Sequence, residues 1–249
     1  MVILALDTSS GRGSAAVIRT GGDHTLVIES AGDAARSHTE RLPADLMAVL
    51  REAGTTLDAV DRLAVIVGPG SFTGLRVGIA TIQGLALART LPVTPVSTFE
   101  ALAWAARGGS STDAIATWVD AHRGEVFATL FAPDGRTVLA PATALQPAAT
   151  LDAWRDLLAP FGTRDEETRD RYRVRFVGDG AVRYRDVIRE RLREQAAVDD
   201  NATMLASACG WIALEEPERA VRPHALVPLY VRRPDVELAR DRRTAASNP

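Results

Sequence analysis

The chain has 249 residues, 46% of them hydrophobic and 24% charged, with a formal net charge of −3 and one cysteine. That length can bury one large core or two modest ones; the lone cysteine excludes an intramolecular disulfide, and no apolar run reaches the roughly 20 residues that span a bilayer. All 29 basic residues are arginines, which removes Schiff-base and Walker-type lysine chemistry and with it the P-loop class, while the slightly acidic balance argues against a surface coated for nucleic acid.

The start, MVILALDTSS, has no basic n-region and reads directly as a strand, so no signal peptide and a cytoplasmic location are expected. Val2 to Leu6 is that strand, ending in Asp7-Thr8-Ser9-Ser10-Gly11. Ser14 to Ile18 alternates as its hairpin partner, and Leu26 to Glu29 offers a third strand after Gly21-Gly22. Ser37 with Glu40 forms a capping box, and Leu42, Leu46, Val49 and Leu50 then share one helical face until Gly54. Pro43 inside that pattern predicts a kink or a later start.

Leu63 to Val67 is a short β-branched run of the kind covered on both faces. Gly68-Pro69-Gly70 breaks it, and Ser71 or Thr73 can cap a helix over 72–89. Two readings of this turn stand: a tight strand-to-helix connection, or bare amides at a helix start that attract an anion. The helix carries Gly74, Gly78, Thr81, Gly84 and Ala88 at spacings of three and four, a small-residue stripe that admits a second helix at close range. Leu75, Val77, Ile79, Ile82 and Leu85 fill much of the rest, so it lies either deep in a domain or against another chain.

From Ala114 the plan repeats. Ile115 to Val119 is a strand ending in Asp120, Glu125 to Phe131 returns after Arg123-Gly124, and Arg136 to Leu139 extends the meander beyond Asp134-Gly135. The most charged stretch, 164–194, interleaves arginines with Tyr172, Phe176 and Tyr184 and with acids. It reads as a patch that faces RNA phosphates and bases, or as a solvated helix over 181–194 with i,i+4 pairing. Cys209, among small residues, reads as core. The tail from Asp235 is polar and expected to be mobile.

The segment GPGSFTGLRVG at 68–78, together with ILALDTSS at 3–10, SHTERLPADL at 37–46, DAHRGEVF at 120–127 and VGDGA at 177–181, resembles the bacterial TsaB (YeaZ) family in order and spacing over about residues 1–235. That resemblance implies an α/β protein of two tandem actin-like subdomains, of the ASKHA and RNase H-like kind, with mixed sheets flanked by helices. The expected division is 1–107, then 108–235 with a C-terminal crossover back from about residue 225, then a flexible tail over 236–249. It also implies a non-catalytic role in making threonylcarbamoyladenosine on tRNA. The implied partners are the paralogous transferase TsaD, in a heterodimer, and the ATPase TsaE, with tRNA met only through the complex and a homodimer forming when the chain is alone. The implied contact surface lies on helices 37–53 and 72–89, with His38, Leu42, Leu46, Leu50, Phe72, Gly74, Leu75, Gly78, Thr81, Ile82 and Leu85 as interface residues.

In the actin-like superfamily the first-strand loops of both halves hold phosphate. Here the first keeps Asp7, Thr8 and Ser9, but the second reads Asp120-Ala121-His122-Arg123-Gly124 and lacks paired glycines, so no cofactor is expected. No metal is expected either. The residue four beyond His38 is Leu42 rather than a second ligand, and His24, His122 and His224 have no partner at ligand spacing. The glycine-rich turn does not match a Gly-x-Ser-x-Gly elbow, so no catalytic residue is assigned. Two alternatives stay open: a nucleotide-dependent small-molecule kinase with a base near Asp7 or Asp120, and a metallopeptidase-like hydrolase.

Overall fold

The computed structural model describes residues 1–22, 24–108, 113–161, 173–200 and 204–232. Its opening strands are β1 (Val2–Asp7), β2 (Ser14–Gly21) and β3 (His24–Ala31), followed by α1 (His38–Glu52), β4 (Arg62–Gly68), α2 (Phe72–Arg89), β5 (Val93–Ser97) and α3 (Thr98–Ala106). The sheet order is β3-β2-β1-β4-β5, with β1 antiparallel to β2 and parallel to β4.

The second set is β6 (Ala114–Asp120), β7 (Val126–Phe131), β8 (Val138–Leu145), α4 (Pro147–Ala153), α5 (Arg155–Leu158), β9 (Val174–Val177), α6 (Asp179–Arg183), α7 (Arg185–Leu192), β10 (Ala196–Val198) and α8 (Ala206–Glu215). Its sheet runs β10-β9-β6-β7-β8, with β6 antiparallel to β7 and parallel to β9. Strand for strand this is the order of the first sheet, so the chain consists of two α/β halves of one topology, each a mixed sheet flanked by helices.

Side-chain alternation along β1 explains how the layers stack. Leu4 and Leu6 face α1 and α2, where they meet Leu42, Leu46, Val49, Leu50, Ile79 and Ile82. Ile3 and Ala5 face the opposite way, onto Cys209, Ile212 and Ala213 of α8 and Phe99 and Leu102 of α3, in a core that also takes in Ile115 and Val119 of β6. Helices α3 and α8 thus lie between the two sheets. Because α8 already packs on the first sheet, the return expected near residue 225 begins about 20 residues earlier, at Ala206. Trp118 on the other face of β6 is fully buried, edge-on to Phe176 at 5.2 Å and to Trp154 at 6.3 Å.

Three local expectations are corrected. The later start weighed for Pro43 is not taken, since α1 begins at His38, directly after its Ser37–Glu40 capping box. The strand placed at 136–139 runs instead over β8, because Asp134 accepts from the Arg136 and Thr137 amides and so draws both residues into the turn. Pro141 is tolerated there because β8 is an edge strand with a register shift opposite it. The single helix over 181–194 is two, parted at Tyr184 (φ −108°, ψ 24°). Among the described residues its arginines pair with acids on other elements rather than at i,i+4: Arg183 with Asp120, Arg185 with Asp200 and Arg191 with Asp152. Residues 164–172 of that stretch and the tail over 236–249 lie outside the described residues. No helix among the described residues is long and apolar enough to cross a membrane.

Candidate functional site

The ends of the two central strands, β1 and β6, meet at one place, and each is closed by the same device. Asp7 Oδ1 accepts from the Ser9 amide at 2.8 Å, and Asp120 Oδ1 accepts from the His122 amide at 3.0 Å. Such aspartate turns hydrogen-bond the backbone two residues on. Their surroundings differ. Asp7 is buried, which raises its pKa against the lowering effect of its bonds to Ser9. Asp120 instead faces Arg183 Nη1 at 3.1 Å and His122 Nδ1 at 3.4 Å. Past Asp120 the chain turns through three consecutive left-handed residues, His122, Arg123 and Gly124.

Between these loops lies a cleft of about 580 Å³, lined by Ser9, Ser10 and Gly11, by Pro69 to Thr73, by Val119 to His122, by Asp179, and by Leu229 to Arg232. Of the four remnant phosphate-loop residues, Ser9 and Asp120 reach the cleft, whereas Asp7 and Thr8 turn into the fold. Ser71 is the cap of α2, its Oγ accepting from the Gly74 amide at 3.2 Å. The Ser71 amide donates to Ser9 O at 2.6 Å, and a Cβ at Gly70 would strike that same carbonyl, so the glycine-rich turn is pressed onto the first loop. His38 fastens α1 to this loop. Its Nε2 donates to Ser10 O at 2.9 Å, while Nδ1 lies 2.8 Å from Nη2 of buried Arg41, which also bonds Arg12 O and Asp45. Among the described residues, no three His, Cys, Asp or Glu side chains converge as metal ligands would.

Residues 31–244 match the family model described as TsaD, tRNA N6-adenosine threonylcarbamoyltransferase. The chain belongs to this family, in its TsaB/YeaZ branch. It is 39% identical over 127 residues to the "tRNA threonylcarbamoyladenosine biosynthesis protein TsaB" of Haemophilus influenzae, a match that takes in 51% of this chain and 52% of that protein. The chain thus spans about half the length of that relative. The Bacillus subtilis protein of the same description is 26% identical over 247 residues, covering 95% of this chain and 96% of its own length. In three dimensions the chain is similar to the solved structure of YeaZ from Pseudomonas aeruginosa, with a TM-score of 0.69, 27% identity, and coverage of 92% of this chain and 100% of that one.

For this TsaB/YeaZ member the two helices carried over as a contact surface divide sharply by face. Leu42, Leu46 and Leu50 are not on the outside: they are 2%, 4% and 1% exposed and pack on β1, β2 and β4. Gly74, Leu75, Gly78 and Ile82 also point inward. A Cβ at Gly74 would strike Thr8 O and one at Gly78 the Thr8 hydroxyl, so these two glycines serve close approach to the first loop rather than to another chain. Thr81 is half-buried and bonds Val77 O, Leu85 is half-buried at the rim of the core, and His38 is engaged as described. Phe72 alone of the carried-over residues is plainly exposed.

The outward row on α2 is Thr73, Arg76, Ala80, Gly84 and Leu87, spaced three and four apart, with Leu87 67% exposed and open space around Gly84; Ala88 and Arg89 at the helix end are exposed beside it. Met47 lies exposed on the neighbouring α1. Of this outer row the sequence pattern marks Gly84 in the small-residue stripe and Thr73 as a cap, but not Arg76, Ala80 or Leu87, nor Leu229 to Arg232, which cross the cleft. The spacing of the glycines does not say which of them faces which way.

Proposed function

We propose that the chain is a non-catalytic subunit in the formation of threonylcarbamoyladenosine on tRNA, docking a TsaD-type transferase through the outer row of α2 and the exposed side of α1. The observation that carries this reading is that α2 presents exposed Ala80, Gly84 and Leu87 outward while its inner glycines are already used against Thr8. Small residues in open space let a partner helix approach closely, and a flanking Leu87 and Met47 supply apolar area. The family match and the relatives' role in threonylcarbamoyladenosine biosynthesis, as their names state it, support the pathway. The interface therefore comprises Phe72, Thr73, Arg76, Ala80, Gly84, Leu87 and Met47, in place of the inward residues Leu42, Leu46, Leu50, Gly74, Leu75, Gly78 and Ile82.

Under the same reading, a TsaE-type ATPase joins the assembly, tRNA is met through it in the cytoplasm, and the exposed row pairs with a second copy when the transferase is absent. The test is co-purification with the source organism's TsaD, together with threonylcarbamoyladenosine formation by the reconstituted proteins. Gly84→Arg and Ala80→Arg should fold as the parent does, lose TsaD and abolish the stimulation of modification. A folded Gly84→Arg protein that still retains TsaD and still stimulates it would refute the assignment.

A further inference from the structure

The cleft has a bar across its mouth. Beyond the turn Pro223–Ala225 the chain runs from the first half to the second without regular structure. Gln83 Nε2 on α2 donates to Pro223 O at 3.0 Å and to Leu226 O at 3.2 Å, and the Leu229 amide donates to Val67 O, at the end of β4, at 2.7 Å. Tyr230 sets its ring 5.7 Å from that of Phe72 and accepts from Arg76 Nε at 3.3 Å. Two residues later Arg232 reaches the other half. Its Nη1 meets Glu125 at 2.6 Å, its Nη2 donates to Ala121 O at 3.3 Å, and its guanidinium lies 5.9 Å from the Phe127 ring centroid.

The first half is shaped for this passage. Gly68 has φ +115°, and a Cβ there would come within 2.9 Å of Leu229 O. The halves share the apolar core around α3 and α8, which can act as a hinge and which reaches the cleft at Leu75, Val119, Phe127 and Val231. Among the contacts of the described residues, those that are polar and join the segment to the second half come from Arg232, whose side chain is 30% exposed and faces a Glu125 carboxylate that is 32% exposed. A pair that is half-buried and still open to water is weakened by salt. The seat on β4 is a backbone hydrogen bond backed by an aromatic pair and is the firmer end.

We propose that Leu226 to Arg232 is a releasable strap that holds the two halves closed over the cleft, with Arg232–Glu125 as its latch and the β4 seat staying in place when the latch opens. The lips of the cleft can be labelled, because the one native cysteine is buried. In a Cys209→Ala background, Gly11→Cys and His122→Cys put spin labels on opposite lips, at a glycine with open space around it and at an exposed histidine. Pulsed dipolar spectroscopy should give longer and broader inter-label distances for Arg232→Ala and for Glu125→Gln than for the parent. The double variant should show no further shift, and high salt should move the parent the same way. Hydrogen exchange at the Leu229 amide should remain slow throughout. Distances unchanged in both single variants would overturn the latch, as would a lowered melting temperature with unchanged distances, which would make Arg232 a stability contact only. Were Arg232→Ala to misfold, Glu125→Gln would carry the same test.

Discussion

Gly78 lies directly over Thr8, so close that a methyl group at 78 would collide with the threonine hydroxyl. The first loop and α2 are therefore held at a separation only glycine permits. Gly78→Ala is expected to destabilise the protein by about 1–3 kcal/mol through overpacking. Thr8→Ala should recover part of that loss when combined with it, a non-additivity that a double-mutant cycle in urea would read. Gly84→Ala, on the open face, should instead stabilise by up to about 1 kcal/mol through helix propensity. Equal costs at 78 and 84 would contradict the assignment of faces.

Arg41 is 2% exposed and ties α1 to the first loop through Arg12 O, while His38 and Asp45 of the same helix hold its guanidinium in place. Removing one member of a buried charged network strands the others, typically at about 3–5 kcal/mol. Arg41→Ala is expected to fall near the lower end of that range and to speed hydrogen exchange over residues 10–13. Unchanged exchange there would show that the loop is held by other means.

Burial holds the Asp7 carboxyl above its ordinary 3.8. The folded state thus binds this proton more readily than the unfolded state does, so the group's contribution is fully present below pH 3.8 and is lost as pH rises through its folded value. Asp7→Asn, which keeps an acceptor for the Ser9 amide, should therefore be more stable than the parent at neutral pH and lose that advantage in acid. Urea unfolding at pH 7 and pH 3.5 would measure the difference; an advantage independent of pH would reject burial of the charge as its cause.

Cys209 is buried in the core that α8 shares with the first sheet, and burial, with Asp7 next in effect, pushes its thiol well above 9.0. The native protein should resist a thiol reagent such as dithionitrobenzoate for as long as it stays folded, and react at the rate of global unfolding in urea. Rapid labelling without denaturant would mean that α8 opens locally from the first sheet.

Much of the framework was legible along the chain. The unbroken apolar runs at β1, β4 and β6, the capping box at Ser37 and Glu40, and the aspartates ending both central strands are local signals, set by side-chain period and by the hydrogen bonds short polar residues make to nearby backbone. The same periodicity marked one face of α1 as buried through Leu42, Leu46 and Leu50, and α2 as rich in small residues. It could not say what covers them. Only the tertiary structure decided that the leucines pack on the chain's own sheet, that Gly74 and Gly78 meet Thr8 while Gly84 meets nothing, that α8 returns between the sheets, and that Leu226 to Arg232 bars the cleft. Amphipathic spacing records that a face leaves water, because burial depends on apolar area alone. Which surface removes it depends on contacts between residues far apart in sequence, and a strap with no periodic pattern carries no local record of where it lies.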